Sequence, residues 1–166
     1  MTIHSTNPFA EPPDPVRRFR GRLGGAVSLW TAGSGADRVG LTVSSLMVAN
    51  GDPGRILGLL DPDAALTEAL APGGRAVVQL LTWADRDLAE AFAGTAPAPG
   101  GPFRTGEWEQ TEHGPVLADR TRALVRVEEL REEAWSQLVV TSIEDLLIVD
   151  DESPLEHRRG RYRTIP

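Results

Sequence analysis

Gly40-Leu41-Thr42-Val43-Ser44-Ser45-Leu46-Met47-Val48 is the stretch whose reading decides the fold. Its Val, Leu and Thr content favours extended backbone, and it reads as part of one long strand from Arg38 to Val48. Three hydroxyls, on Thr42, Ser44 and Ser45, stand near its middle. On a regular strand Thr42 and Ser44 face one side and Ser45 the other. Unless a bulge breaks that alternation, a single ligand meets one or two of these side chains plus the main chain.

The flanking segments supply partners for this strand. Upstream, Ala26 to Thr31 alternates as a strand does, and Gly33-Ser34-Gly35-Ala36-Asp37 is a turn, so the two strands make a hairpin. Downstream, Asp52-Pro53-Gly54 turns the chain into the apolar run Ile56 to Leu60. Asp61-Pro62-Asp63 predicts a helix start, with Asp61 as N-cap, Pro62 at the first helical position and Asp63 at the positive dipole end. That helix continues from Ala64 to Leu70 and stops at Gly73-Gly74. Ala76 to Leu81 is the next strand. Asp85 to Phe92 is a second helix, with Leu88, Ala89 and Phe92 on one face.

Gly94 to Pro102 reads as a surface loop and Glu107 to Gly114 as irregular chain. Ala123 to Leu130 alternates, Gln137 to Val149 gives two strands or one long bent one, and Pro154 to Ile165 ends in a short strand. Arg17 to Arg22 forms a short helix or turn. Six or seven strands, mostly in hairpins, with two or three short helices predict a mainly β, antiparallel barrel rather than a doubly wound sheet.

Composition narrows the functional classes. The length of 166 residues suits one domain, here 17–166 after a Pro-rich leader at 1–16. Apolar runs are too short for a membrane span, and Met1 to Pro15 lacks a signal-peptide core, so a cytoplasmic protein is expected. A net charge of −7 argues against nucleic acid as partner. There is no Cys, and all 17 basic residues are Arg, which removes thiolate and Schiff-base chemistry. His4, His113 and His157 lack metal-ligand spacing, so no metal site is expected and His113 reads as a surface residue. Trp135 reads as core or interface. Glu128, Glu129, Glu132 and Glu133 read as a solvated face. Arg158, Arg159, Arg161 and Arg163 either hold a phosphate or pair with Asp150-Asp151-Glu152, the second being the simpler reading.

Five motifs in order carry a resemblance. Thr42-Val43-Ser44-Ser45 is followed by the turn Asp52-Pro53-Gly54 before an apolar strand, then by Val77-Val78-Gln79-Leu80-Leu81. Leu88-Ala89-Glu90-Ala91-Phe92-Ala93 comes next, and Pro154-Leu155 with Gly160-Arg161-Tyr162 closes the series. Over roughly residues 17–165 the chain resembles the flavin reductase-like family of FMN-binding split barrels. The resemblance implies a Greek-key split β-barrel that binds FMN, with FAD as the alternative, and transfers hydride to it from NADH or NADPH. It places the flavin on Thr42, Val43, Ser44 and Ser45, and on Asp61, Pro62, Asp63 and Ala64. It also implies a homodimer and a partner monooxygenase. Because the cofactor carries the redox chemistry, no catalytic acid or base is assigned.

Two segments depart from the family pattern. Trp135-Ser136 occupies the slot of an Asp-His pair near the nicotinamide. Asp61-Pro62-Asp63-Ala64 puts carboxylates where the family has Asn, Ser or a basic residue for the ribityl chain and phosphate, so a nearby Arg (Arg55, Arg75 or Arg86) must offset them. The alternative reading is therefore a flavin- or deazaflavin-binding barrel without NAD(P)H-dependent turnover.

Overall fold

The computed structural model describes residues 14–150 and 153–165, so most of the 1–16 leader lies outside the described residues. The elements are α1 (Pro15–Leu23), β1 (Gly25–Ala26), β2 (Ser28–Ala32), β3 (Val39–Val43), β4 (Leu46–Ala49), β5 (Arg55–Leu60), α2 (Ala65–Ala69) and β6 (Arg75–Leu80). They continue with α3 (Arg86–Phe92), β7 (Trp108–Gln110), β8 (Pro115–Leu117), β9 (Arg122–Glu133), β10 (Ser136–Leu147), β11 (Glu156–Arg158) and β12 (Arg161–Arg163). Seven strands form one antiparallel sheet in the order β3-β2-β6-β9-β10-β5-β4. The mainly β antiparallel architecture expected from the hairpins is the one observed.

The single strand expected from Arg38 to Val48 is corrected to two. β3 pairs with β2 up to Val43, and β4 pairs with β5 from Leu46. These consecutive strands form the two opposite edges of the sheet. Only Ser44 and Ser45 join them, so the sheet has to curl until its edges approach, and the barrel is split at this seam. Leu59 N–H donates to the Ser45 carbonyl at 2.9 Å, which ties the seam to β5. Register shifts in the β9–β10 pairing, after Val140 and after Ile143, add local bending.

Trp30 fills the inside of the curl. It is fully buried, and its indole Nε1 donates to Ser28 Oγ at 3.0 Å. Ser28 Oγ in turn donates to the Val43 carbonyl at 2.7 Å, the last residue before the seam. Across the barrel the ring lies against Gly58, where a Cβ would stand 2.8 Å from Trp30 Cζ2. Val43, Ile56, Leu60, Val78, Val125, Val127 and Val139 complete this interior. A second apolar cluster (Val27, Leu29, Leu81, Leu88, Ala89, Phe92, Leu117 and Leu155) packs α3 and β8 onto the outer face. β2 is buried on both faces as a result.

Other expectations need adjustment. Glu107 to Gly114 is not irregular, because β7 and β8 form a hairpin there. Gln79 holds it: the amide oxygen accepts from Leu117 N–H at 2.7 Å, while the amide nitrogen donates to the Pro115 carbonyl at 3.3 Å. The helix expected from Asp61 starts only at Ala65. Asp61 Oδ1 accepts from Asp63 N–H at 2.9 Å, which commits Asp61-Pro62-Asp63 to a turn and leaves Ala64 as the N-cap. The C-terminal tail holds two short strands, with β11 pairing both β1 and β12.

Asp85 anchors the start of α3. Arg120 donates to both its oxygens, at 2.8 and 2.9 Å, and Thr82 donates through its N–H and hydroxyl. Burial alone would raise the Asp85 carboxyl, but the hydrogen bonds from Arg120 and Thr82 outweigh it and hold it below the ordinary range. The group's folded value is lowered, so its stabilisation is present above the ordinary carboxylate pKa of about 3.9 and is lost as pH falls through the folded value. Asp85→Asn should cost about 2 kcal/mol at neutral pH and flatten the acid limb of stability. Denaturant melts of both proteins across acid pH check this. Gly58→Ala should cost about 1–3 kcal/mol by overpacking against Trp30, measured as a lower urea midpoint with an unchanged slope.

Candidate functional site

A cavity of about 510 Å³ opens beside the seam. Its floor is the outer face of the sheet. β5 buries Ile56, Gly58 and Leu60 inside the barrel and turns Leu57 and Leu59 outward. Leu57 pairs with Met47 of β4 and Leu59 with Leu138 of β10, giving a continuous apolar slab. Ser44 and Ser45 form one wall, and α1 forms another through Arg20, Gly21 and Leu23. A smaller polar cavity of about 310 Å³ adjoins it, lined in part by Thr42, Glu90 and Tyr162. Ser44 and His157 line both cavities.

The four residues of the hydroxyl-rich stretch divide the work. Val43 points into the core. Thr42 lines the smaller cavity, but its hydroxyl donates to the Ala89 carbonyl at 2.7 Å and so fixes α3 against β3. Ser44 and Ser45 lie outside regular pairing and face the cavities. Among the described residues neither spends its hydroxyl on a protein partner. Both serines therefore line the larger cavity, whereas a regular strand would send neighbouring side chains to opposite faces.

Asp61, Pro62, Asp63 and Ala64 contribute no wall to either cavity. Nor do Arg55, Arg75 and Arg86. Arg55 pairs with Glu128 at 2.8 Å, Arg75 pairs with Glu112 at 3.2 Å, and Arg86 stacks on Trp83 at 3.9 Å. The arginine on the larger cavity is Arg20. Trp135 is not core: it is 89% exposed at the tip of the β9–β10 hairpin, next to Ser136 at the start of β10. Glu133 and Leu138 of the same hairpin reach the cavity wall. His113 is largely covered and meets Glu144 at 2.9 Å, far along the chain from the seam.

His157 was missed by sequence reasoning. No spacing ties it to Ser44, because β11 reaches the site through its pairing with β1. Burial, then the charge of Arg20, lowers its pKa, so the ring is held neutral at neutral pH. Tyr162 pairs with His157 across β11–β12, and its ring centroid stands 5.5 Å from that of the imidazole. Burial, then Glu90, raises the Tyr162 hydroxyl and keeps it protonated as a donor.

This arrangement suits a flat, largely apolar ring with a polar edge. The volume lies within the usual range for small-molecule sites, the floor is aliphatic, and polar groups stand on the surrounding walls. The fold and the cavity together define a split barrel with an apolar cavity open on the outer face of its seam.

The flavin reductase like domain model matches residues 20–166, and the chain belongs to this family. It is 27% identical to the FMN reductase (NADH) RutF 2 of Methylorubrum extorquens over 164 residues, covering 98% of this chain and 95% of that one. It is 29% identical over 153 residues to the NADH-dependent FMN reductase AsuE2 of Streptomyces nodosus subsp. asukaensis, covering 90% and 83%. Among solved structures it matches the NADH:FAD oxidoreductase SgcE6 of Streptomyces globisporus with a TM-score of 0.81 at 21% identity, covering 95% and 98%; that likeness shows the fold.

Replacing both Ser44 and Ser45 with Ala should raise the dissociation constant for FMN about tenfold while leaving the melting temperature within a few degrees. Quenching of flavin fluorescence and a thermal melt give the two readings. Unchanged FMN affinity would remove the seam hydroxyls from the site.

Proposed function

We propose that the protein is a flavin reductase that oxidises NADH or NADPH and binds the flavin ring, of FMN or FAD, in the cavity at Ser44–Ser45. The observation that carries this reading is the pair of uncommitted seam hydroxyls at the edge of an aliphatic floor. The names of the two relatives, both NADH-linked FMN reductases, support the choice of substrates.

Bound flavin supplies the redox chemistry, taking hydride from the nicotinamide and holding negative charge once reduced. The protein's part is to bind, orient and shield. Met47, Leu57, Leu59 and Leu138 exclude water from one face of the ring. Ser44 and Ser45 present donors to its polar edge, where charge builds. His157, neutral at the junction of the two cavities, and Tyr162, protonated behind it, offer further polar contacts.

The assay is direct. The purified protein should consume NADH or NADPH only when FMN or FAD is added. Tight flavin binding without nicotinamide oxidation would favour the non-reductase reading, for which Trp135-Ser136 in the Asp-His slot is the specific observation.

A homodimer belongs to the same proposal. Val16, Phe19 and Leu23 of α1 and Met47 and Val48 of β4 are exposed apolar residues, and Leu23 and Met47 line the cavity. Exposed apolar residues on two neighbouring elements are a usual mark of an interface. A second copy of the chain is the occupant that the family resemblance favours, and a monooxygenase that takes reduced flavin is the partner it implies. Sedimentation should give a dimer, and Val48→Glu should shift it toward monomer. A wild-type monomer would contradict the proposal.

A further inference from the structure

Eight of the 17 arginines gather in one place. Arg17, Arg18, Arg20 and Arg22 lie on α1; Arg158, Arg159, Arg161 and Arg163 lie on β11, β12 and the turn between them. The turn packs on the helix. Arg159 N–H donates to the Gly21 carbonyl at 2.8 Å, and Arg158 Nε donates to the Arg22 carbonyl at 3.3 Å. All eight are exposed. Among the described residues none of them has a carboxylate oxygen within 4.0 Å, whereas Arg55, Arg75, Arg120, Arg126 and Arg131 all do. The expected acidic partners Asp151 and Glu152 lie outside the described residues.

This concentration of charge is unfavourable by itself. Arg158 stands directly opposite Arg161 in the β11–β12 ladder, and like charges at such positions repel. The α1 dipole favours Arg20 and Arg22 in the last turn, but it does nothing for the hairpin. Arg163 sits opposite Glu156, the one carboxylate on that face of the ladder. In a chain of net charge −7 the arrangement points to an anion that enters from solution.

Its position says which anion. Arg20 and Gly21 belong to both the cluster and the wall of the larger cavity. A ligand that seats a flat ring on the aliphatic floor leaves its next group at this rim. Beyond that group, a ribose or ribityl chain, an adenine dinucleotide carries a diphosphate, and guanidinium forks match phosphate oxygens in geometry and charge.

We propose that the α1 and β11–β12 arginines bind the diphosphate of an adenine dinucleotide whose reactive ring occupies the cavity. The proposal rests on the flavin reductase reading. NADH, NADPH and FAD all carry this diphosphate; FMN and riboflavin do not.

The test uses the whole chain and the double variant Arg158→Gln/Arg161→Gln, titrated calorimetrically with ADP, which carries the diphosphate without either reactive ring. ADP affinity should fall about tenfold or more in the variant. Riboflavin affinity should stay constant, and the melting temperature should hold or rise, because the opposed pair is gone. The source of the diphosphate follows from two comparisons: KM for NADH against reduced nicotinamide mononucleotide, and affinity for FAD against FMN. The dinucleotide that loses its advantage over its mononucleotide in the variant is the occupant. Unchanged ADP affinity overturns the arginine site. Weakened ADP binding with neither dinucleotide affected overturns the assignment to a dinucleotide. Failure of wild-type protein to bind riboflavin overturns the flavin reading instead, a separate signal from the ADP titration.

Discussion

The architecture depends on one connection: two residues, Ser44 and Ser45, join strands that form opposite edges of a seven-stranded sheet. A link that short cannot cross a flat sheet of this width, since each residue spans at most about 3.6 Å. The sheet is therefore closed by its own chain, and the interior has to be filled to match. Trp30 does the filling, with its indole against Gly58 and its N–H linked through Ser28 to the carbonyl of Val43. The same ring that packs the barrel also fixes the last paired residue before the seam. Core and site are thus set by one group of contacts.

The seam explains why polar residues are tolerated there. A strand interior would bury or pair them. At the crossing, the backbone leaves β2 before it joins β5, and the two serines face open space instead of a neighbour. The outer face of β4, β5 and β10 is aliphatic where an exposed sheet is usually polar. Hydroxyls on one side and an apolar floor beneath make a place for a ring with one polar edge. Arg20 brings positive charge to the mouth of the cavity, and the other exposed arginines of α1 and the C-terminal hairpin stand on the helix and turn behind it. Anionic substrates are drawn to such a mouth, and the attraction weakens with salt.

Much of the fold was legible. The alternation in Ala26 to Thr31 and Ala123 to Leu130, and the turn residues at Gly33 to Asp37 and Asp52 to Gly54, gave the hairpins directly. The motif order gave the family. What escaped depended on contacts distant in sequence. The break at Ser44–Ser45 has no local signal, since Ser is acceptable in a strand; only the pairing of β4 with β5 reveals it. The β7–β8 hairpin is held by Gln79, which in sequence is a polar residue in an apolar strand. Asp61 looked like an N-cap because Asp-Pro commonly opens helices, yet its carboxylate closes a turn. His157 and Arg20 enter the site because β11 pairs with β1 and α1 leans on the β11–β12 turn.

A flavin seated on the seam would cover Ser44, Ser45 and the outer face behind them. Amide hydrogen exchange with and without FMN reads this most directly. Protection should appear at Ser44 to Met47, at Leu57 to Leu59 and at Arg20 to Gly24, the segments that wall the larger cavity. FMN binding that leaves exchange at Ser44 to Met47 unchanged would place the flavin away from the seam.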